Sequence, residues 1–337
     1  MMRVTSLGSG STGNALLVEA GPQRRTKVLV DAGLQGRLLV KRLWQVAVSP
    51  AQLQGVLVTH EHSDHIVGLP TLMRRFAIPA IADPRTLKVI EESFASGVWR
   101  TDAGTVTIRS REPSVEVALP ASTDEGVEEQ RAGCDSPLEA NRSTSIVTHG
   151  MWQGDKLRYT TPFGVGSHSV IGDIEVRSFS VSHDAVAPCG YLLKADGCCV
   201  CVAIDSGKVT PTMLKMMKQA DLLIIESNHD RQRLLNGPYP YLVKQRILSA
   251  KGHLSNDQAA EAVLHTWRTD GVRWVWLSHL SLVNNTPELA LEIMRGHIVF
   301  AGADPEQVQV TALPAGMGDV WDSAQLWKSL SLWELLE

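Results

Sequence analysis

The sequence predicts an α/β fold of the αββα type, with two mixed β-sheets packed face to face and helices on the outside. Two observations lead there. Short strands in the first third follow one another across Gly-rich turns, as in a meander. Strands then alternate with helical stretches, and this succession recurs in both halves of the chain.

Taken in order, the strands MRVTSLGSG, NALLVEA and TKVLVDAG come first, then a helix at LLVKRLWQV and the strand LQGVLVTH. A helix at VGLPTLMRRFAI, a strand at PAIADP and a helix reaching about Phe94 follow. From about 108 to 156 the periodicity dissolves into a polar, acidic stretch, expected to be a disordered insertion in a single domain spanning 1–337. Order returns with paired strands in SVIGDIEVRSFSVSHD and GYLLKADGCCVCVAIDSG, then a helix at TPTMLKMMKQA. Strand DLLIIESN, helices YLVKQRIL and NDQAAEAVLHTW, strand VRWVWLSHLS, helix PELALEIMRGHIVF and strand QVQVTALP alternate to the end. Trp321, Trp327 and Trp333 lie in an amphipathic tail expected to pack against the body.

Composition narrows the class. An apolar content of 44% and a mean hydropathy near zero belong to a globular protein with a sizeable core. No apolar run approaches the roughly 20 residues that span a bilayer, and MMRVTSLGSG has no secretory h-region, so a cytoplasmic protein is expected. Of five cysteines, three crowd into the strand GCCVCVAID. Side chains alternate across a strand, so Cys198 and Cys199 point to opposite faces and cannot share a metal; all read as small core residues in a reducing compartment. A net charge of −4 gives no overall pull towards nucleic acid, so such a partner would need a local basic surface.

Residues 8–13, GSGSTG, match the dinucleotide-binding fingerprint literally, with Asp31 downstream. That motif works only when its last glycine opens a helix. Here the strand NALLVEA follows, so a Gly/Ser-rich hairpin near the active site is expected instead.

The strongest signal is THEHSDH, residues 59–65. An apolar strand delivers His60, His62, Asp64 and His65 where the chain turns, a donor set suited to Zn, Mn or Fe. His60 and His62 share a side, while Asp64 and His65 can face a second ion. Further donors stand at other strand ends: His183 after VRSFSVS, Asp205 after CVCVAI and His279 after VRWVWLS. A carboxylate such as Asp205 can bridge two ions. Each alone is an ordinary loop residue; together they predict a site for two divalent ions.

THEHSDH, VSHDA, AIDSG and WLSHLS resemble, in order, the metal motifs of the metallo-β-lactamase superfamily, over residues 1 to about 300. The resemblance implies that His60, His62 and His183 hold one ion and Asp64, His65 and His279 the other, with Asp205 bridging. Asp31 matches an aspartate that supports the site. GHLSNDQAAE is similar to a segment of the ribonuclease Z branch, with one residue inserted after the histidine, and implies that His253 assists phosphodiester cleavage. SGSTGN, ESNHD, GHLSN and SHLS with the following NN together resemble the YycJ-type (WalJ-like) exonuclease branch, implying removal of nucleotides from DNA 5′ ends. A β-CASP clamp has no room between Asp205 and His279, and no ribonuclease Z arm is evident.

The chemistry expected is therefore phosphodiester hydrolysis. Asp64 and Asp205 would orient the attacking water and His253 would protonate the leaving oxygen. Ser255 or Asn256 would otherwise be a helix cap, with His253 merely its neighbour. ESNHD sets Glu226, Asn228 and His229 beside the site. Between His229 and His253 stand Arg231, Arg233, Lys244, Arg246 and Lys251 with Tyr239 and Tyr241, a set suited to phosphates and bases or to a solvated face. Asn228, His229, Ser255, Arg231 and Arg233 are the expected substrate contacts, with Arg74 and Arg75 extending the basic patch. DNA is the expected partner, with RNA or a small cyclic or nucleotide phosphodiester as the alternative. Thioester or lactone hydrolysis leaves His253 and the basic stretch unexplained, and a non-catalytic binding module leaves the complete ligand set so.

Overall fold

A computed structural model describes residues 1–101, 104–107, 159–268, 272–304 and 307–328. The acidic stretch 108–156, with Cys134, and the tail residue Trp333 lie outside the described residues.

The first sheet begins as an antiparallel meander of β1 (Arg3–Gly8), β2 (Ala15–Ala20) and β3 (Thr26–Val30). Helix α1 (Gly36–Gln45) carries the chain back so that β4 (Gly55–Leu57) pairs parallel to β3. After the short α2 (Ser63–Ile66) and α3 (Leu69–Phe76), β5 (Ala80–Ala82) again pairs in parallel. Helix α4 (Pro84–Ser96) leads to a hairpin of β6 (Val98–Thr101) and β7 (Gly104–Thr107), which among the described residues pair only with each other, and β8 (Thr160–Pro162) closes the sheet beside β5.

The second sheet repeats the plan. An antiparallel run of β9 (His168–Ile171), β10 (Ile174–Ser180), β11 (Cys189–Ala195) and β12 (Cys198–Ala203) is followed by α5 (Pro211–Met217) and the parallel β13 (Leu222–Glu226). Helices α6 (Arg231–Asn236), α7 (Tyr241–Ile247) and α8 (Asn256–His265) separate β13 from the parallel β14 (Arg273–Ser278). After α9 (Pro287–Phe300), β15 (Val308–Ala312) pairs in parallel with β14. Finally β16 (Val320–Asp322) returns to pair with β1, ahead of α10 (Gln325–Lys328). The orders are β16-β1-β2-β3-β4-β5-β8 and β15-β14-β13-β12-β11-β10-β9, two mixed seven-stranded sheets.

Strand periodicity sorts the apolar side chains into three layers. Leu16, Val18, Val28, Val30, Val200, Val202, Leu222 and Ile224 fill the space between the sheets. Their neighbours on the same strands, Leu17 and Leu29, face the helices of the first half with Leu39 and Leu72. Leu223 and Ile225 face those of the second half with Met213, Ala260 and Met294. Cys198 lies in the central layer and Cys199 and Cys201 in the outer one, as alternation requires. Burial pushes the Cys189 and Cys199 thiols up to about 12, so neither is a thiolate at neutral pH.

Trp321 lies on β16, buried, with its ring centroid 6.2 Å from that of Trp274. Helix starts follow cap chemistry: the side chains of Asp83, Thr210, Asp230, Ser255 and Thr286 each accept a backbone N–H of the first turn. The β6–β7 hairpin, β8, β16 and α6 are elements the sequence pattern did not single out.

Candidate metal centre

The histidines and carboxylates converge at the ends of strands from both sheets. His60, His62, Asp64 and His65 follow β4, with His62 at the N-cap position of α2. His183 follows β10, Asp205 follows β12, Glu226 ends β13, and His279 follows β14. Asp31, Asp205 and His279 all have left-handed backbone, with φ of 62°, 53° and 54°. Such conformations cost on the order of 1 kcal/mol or more for non-glycine residues and persist where surrounding structure fixes them, commonly at functional sites.

Four donor groupings have ligand atoms within 4.8 Å of one another: His60, His62 and His183; His60, His65 and Asp205; Asp64, His65 and His279; and Asp205, Glu226, His253 and His279. His183 Nε2 lies 3.3 Å from His62 Nδ1. His65 Nε2 is 2.8 Å from Asp205 Oδ2 and 3.5 Å from Asp64 Oδ2. His279 Nε2 is 3.4 Å from Asp64 Oδ2, and its Nδ1 is 3.1 Å from Asp205 Oδ1. The seven residues expected as ligands are thus one contiguous cluster. All are buried but Asp64, whose side chain is 11% exposed and marks the solvent side.

The electrostatics favour a cation there. Burial lowers the His60 imidazole well below its usual range, helped by the neighbouring imidazoles, and its Nε2 is buried without a hydrogen-bond partner. Burial would lower His65 too, but Asp31, Asp64 and Asp205 outweigh it and hold its pKa well above normal. His279 is likewise raised against its burial, to about 10, by Asp205, Asp64 and Glu226. Asp205 stays far below the usual carboxylate range despite burial because His279 and His65 face it. Buried carboxylates thus draw positive charge into the cluster. A divalent ion satisfies that demand, and neutral His60 with its unpartnered Nε2 is a ready ligand.

Supporting residues fix the donors. Asp31 receives Thr59 N at 2.8 Å and lies 2.8 Å from His65 Nδ1, which turns His65 Nε2 into the cluster. Ser9, in the loop joining β1 to β2, accepts His279 N at 2.9 Å, and Asn14 of the same loop lies 3.1 Å from His65 Nε2. The GSGSTG segment is therefore a hairpin loop against the site. Glu61 accepts Val186 N at 2.9 Å, anchoring the loop that carries His183. Thr59, Ser9, Asn14 and Glu61 were not singled out in the sequence; the Gly/Ser-rich loop was the available pointer to Ser9 and Asn14.

On the β13–β14 side, Glu226 holds two imidazoles. Its Oε1 is 2.6 Å from His253 Nδ1 and 3.2 Å from His279 Nδ1, while Oε2 accepts Ser206 N and Leu254 N. Although burial opposes it, the His253 charge and hydrogen bond hold Glu226 below its usual range. The His253 ring stacks on that of His279 at 5.3 Å. Ser255 caps α8 in a reciprocal capping box with Gln258. Asn228 donates to His279 O at 3.0 Å. His229 is buried with neither ring nitrogen hydrogen-bonded, and burial pushes its pKa down to about 4. Arg231 and Arg233 are exposed on α6, whereas Arg74 and Arg75 lie on α3.

Paired mixed sheets with a His/Asp cluster at their strand ends define a class of metal-dependent hydrolases, and the family model described as metallo-β-lactamase superfamily matches residues 8–139. Exodeoxyribonuclease WalJ from Streptococcus pneumoniae serotype 2 is 32% identical over 284 residues, covering 84% of this chain and 83% of that protein. Exodeoxyribonuclease YycJ from Bacillus anthracis is 34% identical over 84% of each chain. The chain belongs to the WalJ/YycJ exodeoxyribonuclease family of the metallo-β-lactamase superfamily. Ribonuclease Z from Mycobacterium bovis matches locally, 39% identical over 111 residues, 28% of this chain and 38% of that one. The metallo-β-lactamase fold protein YhfI from Bacillus subtilis shares the fold at a TM-score of 0.58 and 16% identity, covering 96% of this chain and 100% of that one.

Proposed function

We propose that this protein is a two-metal phosphodiesterase, a single domain over 1–337, that removes nucleotides from DNA 5′ ends in the cytoplasm. The observation that carries the reading is the Glu226–His253 pair set against a complete ligand cluster, in a chain similar over most of its length to exodeoxyribonucleases. His60, His62 and His183 would hold one ion, Asp64, His65 and His279 the other, and Asp205 would bridge them. Zn or Mn suits these donors, with Fe also compatible. Bound ions would acidify a water and polarise the phosphoryl oxygens.

The chain's own groups supply the rest. Asp64, at the solvent side, and Asp205, at the centre, orient the attacking water. Glu226 takes up His253 Nδ1, so the transferable proton of His253 is carried on Nε2. That proton goes to the leaving oxygen, a step worth about 10²–10⁴-fold. Arg231 and Arg233 contact backbone phosphates, and Asn228, His229 and Ser255 support the substrate side from beneath.

Linear duplex DNA labelled at one 5′ or one 3′ end, digested with Mn or Zn, tests the reading. Short 5′-labelled products should appear early and be absent for Asp64→Asn; an RNA substrate run in parallel measures nucleic-acid choice. No cleavage by a protein holding two ions would favour a small cyclic or nucleotide phosphodiester as substrate, which the pI near 6.3 also suits.

A further inference from the structure

The segment between β13 and α8 carries exposed apolar groups close to the metal cluster. Most apolar side chains are sorted into three buried layers, with Trp44, Val299 and Phe300 among the exposed exceptions on α1 and α9; α7 buries none of its residues. Tyr241 and Leu242 are 71% and 78% exposed, and Leu235 at the end of α6 is also exposed. Leu282 and Val283, in the loop after His279, are exposed too. That loop abuts α6, since Asp230 N donates to Asn284 O at 3.0 Å. Lys244 Nζ donates to Leu235 O at 2.8 Å, tying α7 to α6.

The same segment is anchored to the metal cluster. Arg246 on α7 pairs with Asp184 at 2.7 Å, beside His183, and Ser182 Oγ donates to Ala250 O at 2.7 Å. His183 Nδ1 lies 3.1 Å from Gly252 O. From Arg231 to Lys251 the chain carries five cations and no carboxylate, in a protein whose net charge is −4. Exposed apolar and aromatic groups interleaved with cations, at the rim of a phosphodiester site, match the chemistry of unpaired nucleotides: phosphates meet the cations and base faces meet the apolar groups.

We propose that the α6–α7 excursion, through Tyr241 and Leu242 with Leu235, Leu282 and Val283, is a ledge that holds the unpaired nucleotides of a frayed DNA end beside the metal cluster. The proposal rests on the DNA reading above and adds the state of the substrate. A terminal nucleotide must leave its stack to reach buried ligands, and a ledge that stacks exposed bases offsets that unstacking.

Fluorescence anisotropy with labelled oligonucleotides tests it, using the metal-loaded full-length protein and phosphorothioate-linked probes that resist cleavage. The probes are a single strand, a duplex with a 5′ overhang and a blunt duplex. Tyr241→Ala with Leu242→Ala should weaken binding of the single strand and overhang about tenfold, and change blunt-duplex binding little. Hydrolysis of bis(p-nitrophenyl) phosphate, too small to reach the ledge, should be unchanged. Leu282→Ser, on the neighbouring loop, should act in the same direction. Equal affinity of variant and wild type for all three probes would overturn the ledge while leaving the nuclease reading intact. So would a variant that turns a wild-type dimer into a monomer in sedimentation, since the face would then join two copies. Wild-type protein that binds none of the probes would overturn the DNA reading and the ledge with it.

Discussion

In the mechanism proposed above, much of the chemistry rests on one hydrogen bond, that between Glu226 and His253. Held at 2.6 Å, the His253 Nδ1 proton is committed to a buried carboxylate, which fixes the ring that would act on substrate. His253→Ala should lower kcat on DNA about 10²–10⁴-fold. The loss should shrink sharply on a p-nitrophenyl phosphodiester, whose leaving group departs without a proton; equal losses on both substrates would remove His253 from the general-acid role. Glu226→Gln should mimic it, and the double variant should be no slower than the worse single one, because the two act as a unit. The ligand candidates were legible in the sequence because histidine and aspartate follow apolar strands abruptly. Glu226 was legible only as a neighbour of the site, since one acid at a strand end does not say which imidazole it will meet. Thr59 and Asn14 were illegible because a turn threonine or asparagine reads the same whether it faces water or a ligand.

At the scale of elements, the turn between β9 and β10 clips one sheet to the other. Asp173 there accepts Arg25 at 2.7 Å and 2.9 Å and Thr26 Oγ1 at 2.6 Å, and these bonds hold its carboxyl down to about 2. Because the folded pKa lies below the usual 3.8, the clip stabilises fully above about pH 4 and fades as pH falls towards 2. Asp173→Asn should therefore unfold at a higher pH on acidification while losing little extra stability below pH 2. An acid-unfolding midpoint unchanged by the substitution, followed by circular dichroism, would show that the clip contributes nothing. Elements with several turns or clear alternation were legible from the sequence, down to the opposite faces of Cys198 and Cys199. The β6–β7 hairpin, β8 and β16 were not: strands of three or four residues are set by the neighbour they pair with, not by their own pattern. The α6–α7 excursion was legible as basic and aromatic, but only the structure gives the exposure of Leu242.

Across the whole molecule, the ligand cluster spans the seam between the two sheets. His60, His62, Asp64 and His65 come from the first, and His183, Asp205 and His279 from the second. Ions bound there would stabilise the docked sheets by mass action, about 2.7 kcal/mol for each site at a hundredfold excess over its Kd. Chelation should lower Tm by about 5 °C or more and re-addition of Zn or Mn should restore it. A chelated, metal-free protein with unchanged Tm would show that the seam needs no ion. The seam also governs when the protein can become an active hydrolase. While a ribosome is still threading out the second half of the chain, β1 to β5 and the four donors that follow β4 are already in the open, but neither His279 nor β16, which completes the first sheet, is. A message cut short before that codon, or a polypeptide stalled there, yields no cutting enzyme. Competence for hydrolysis is thereby tied to near-complete synthesis and closure of the chain.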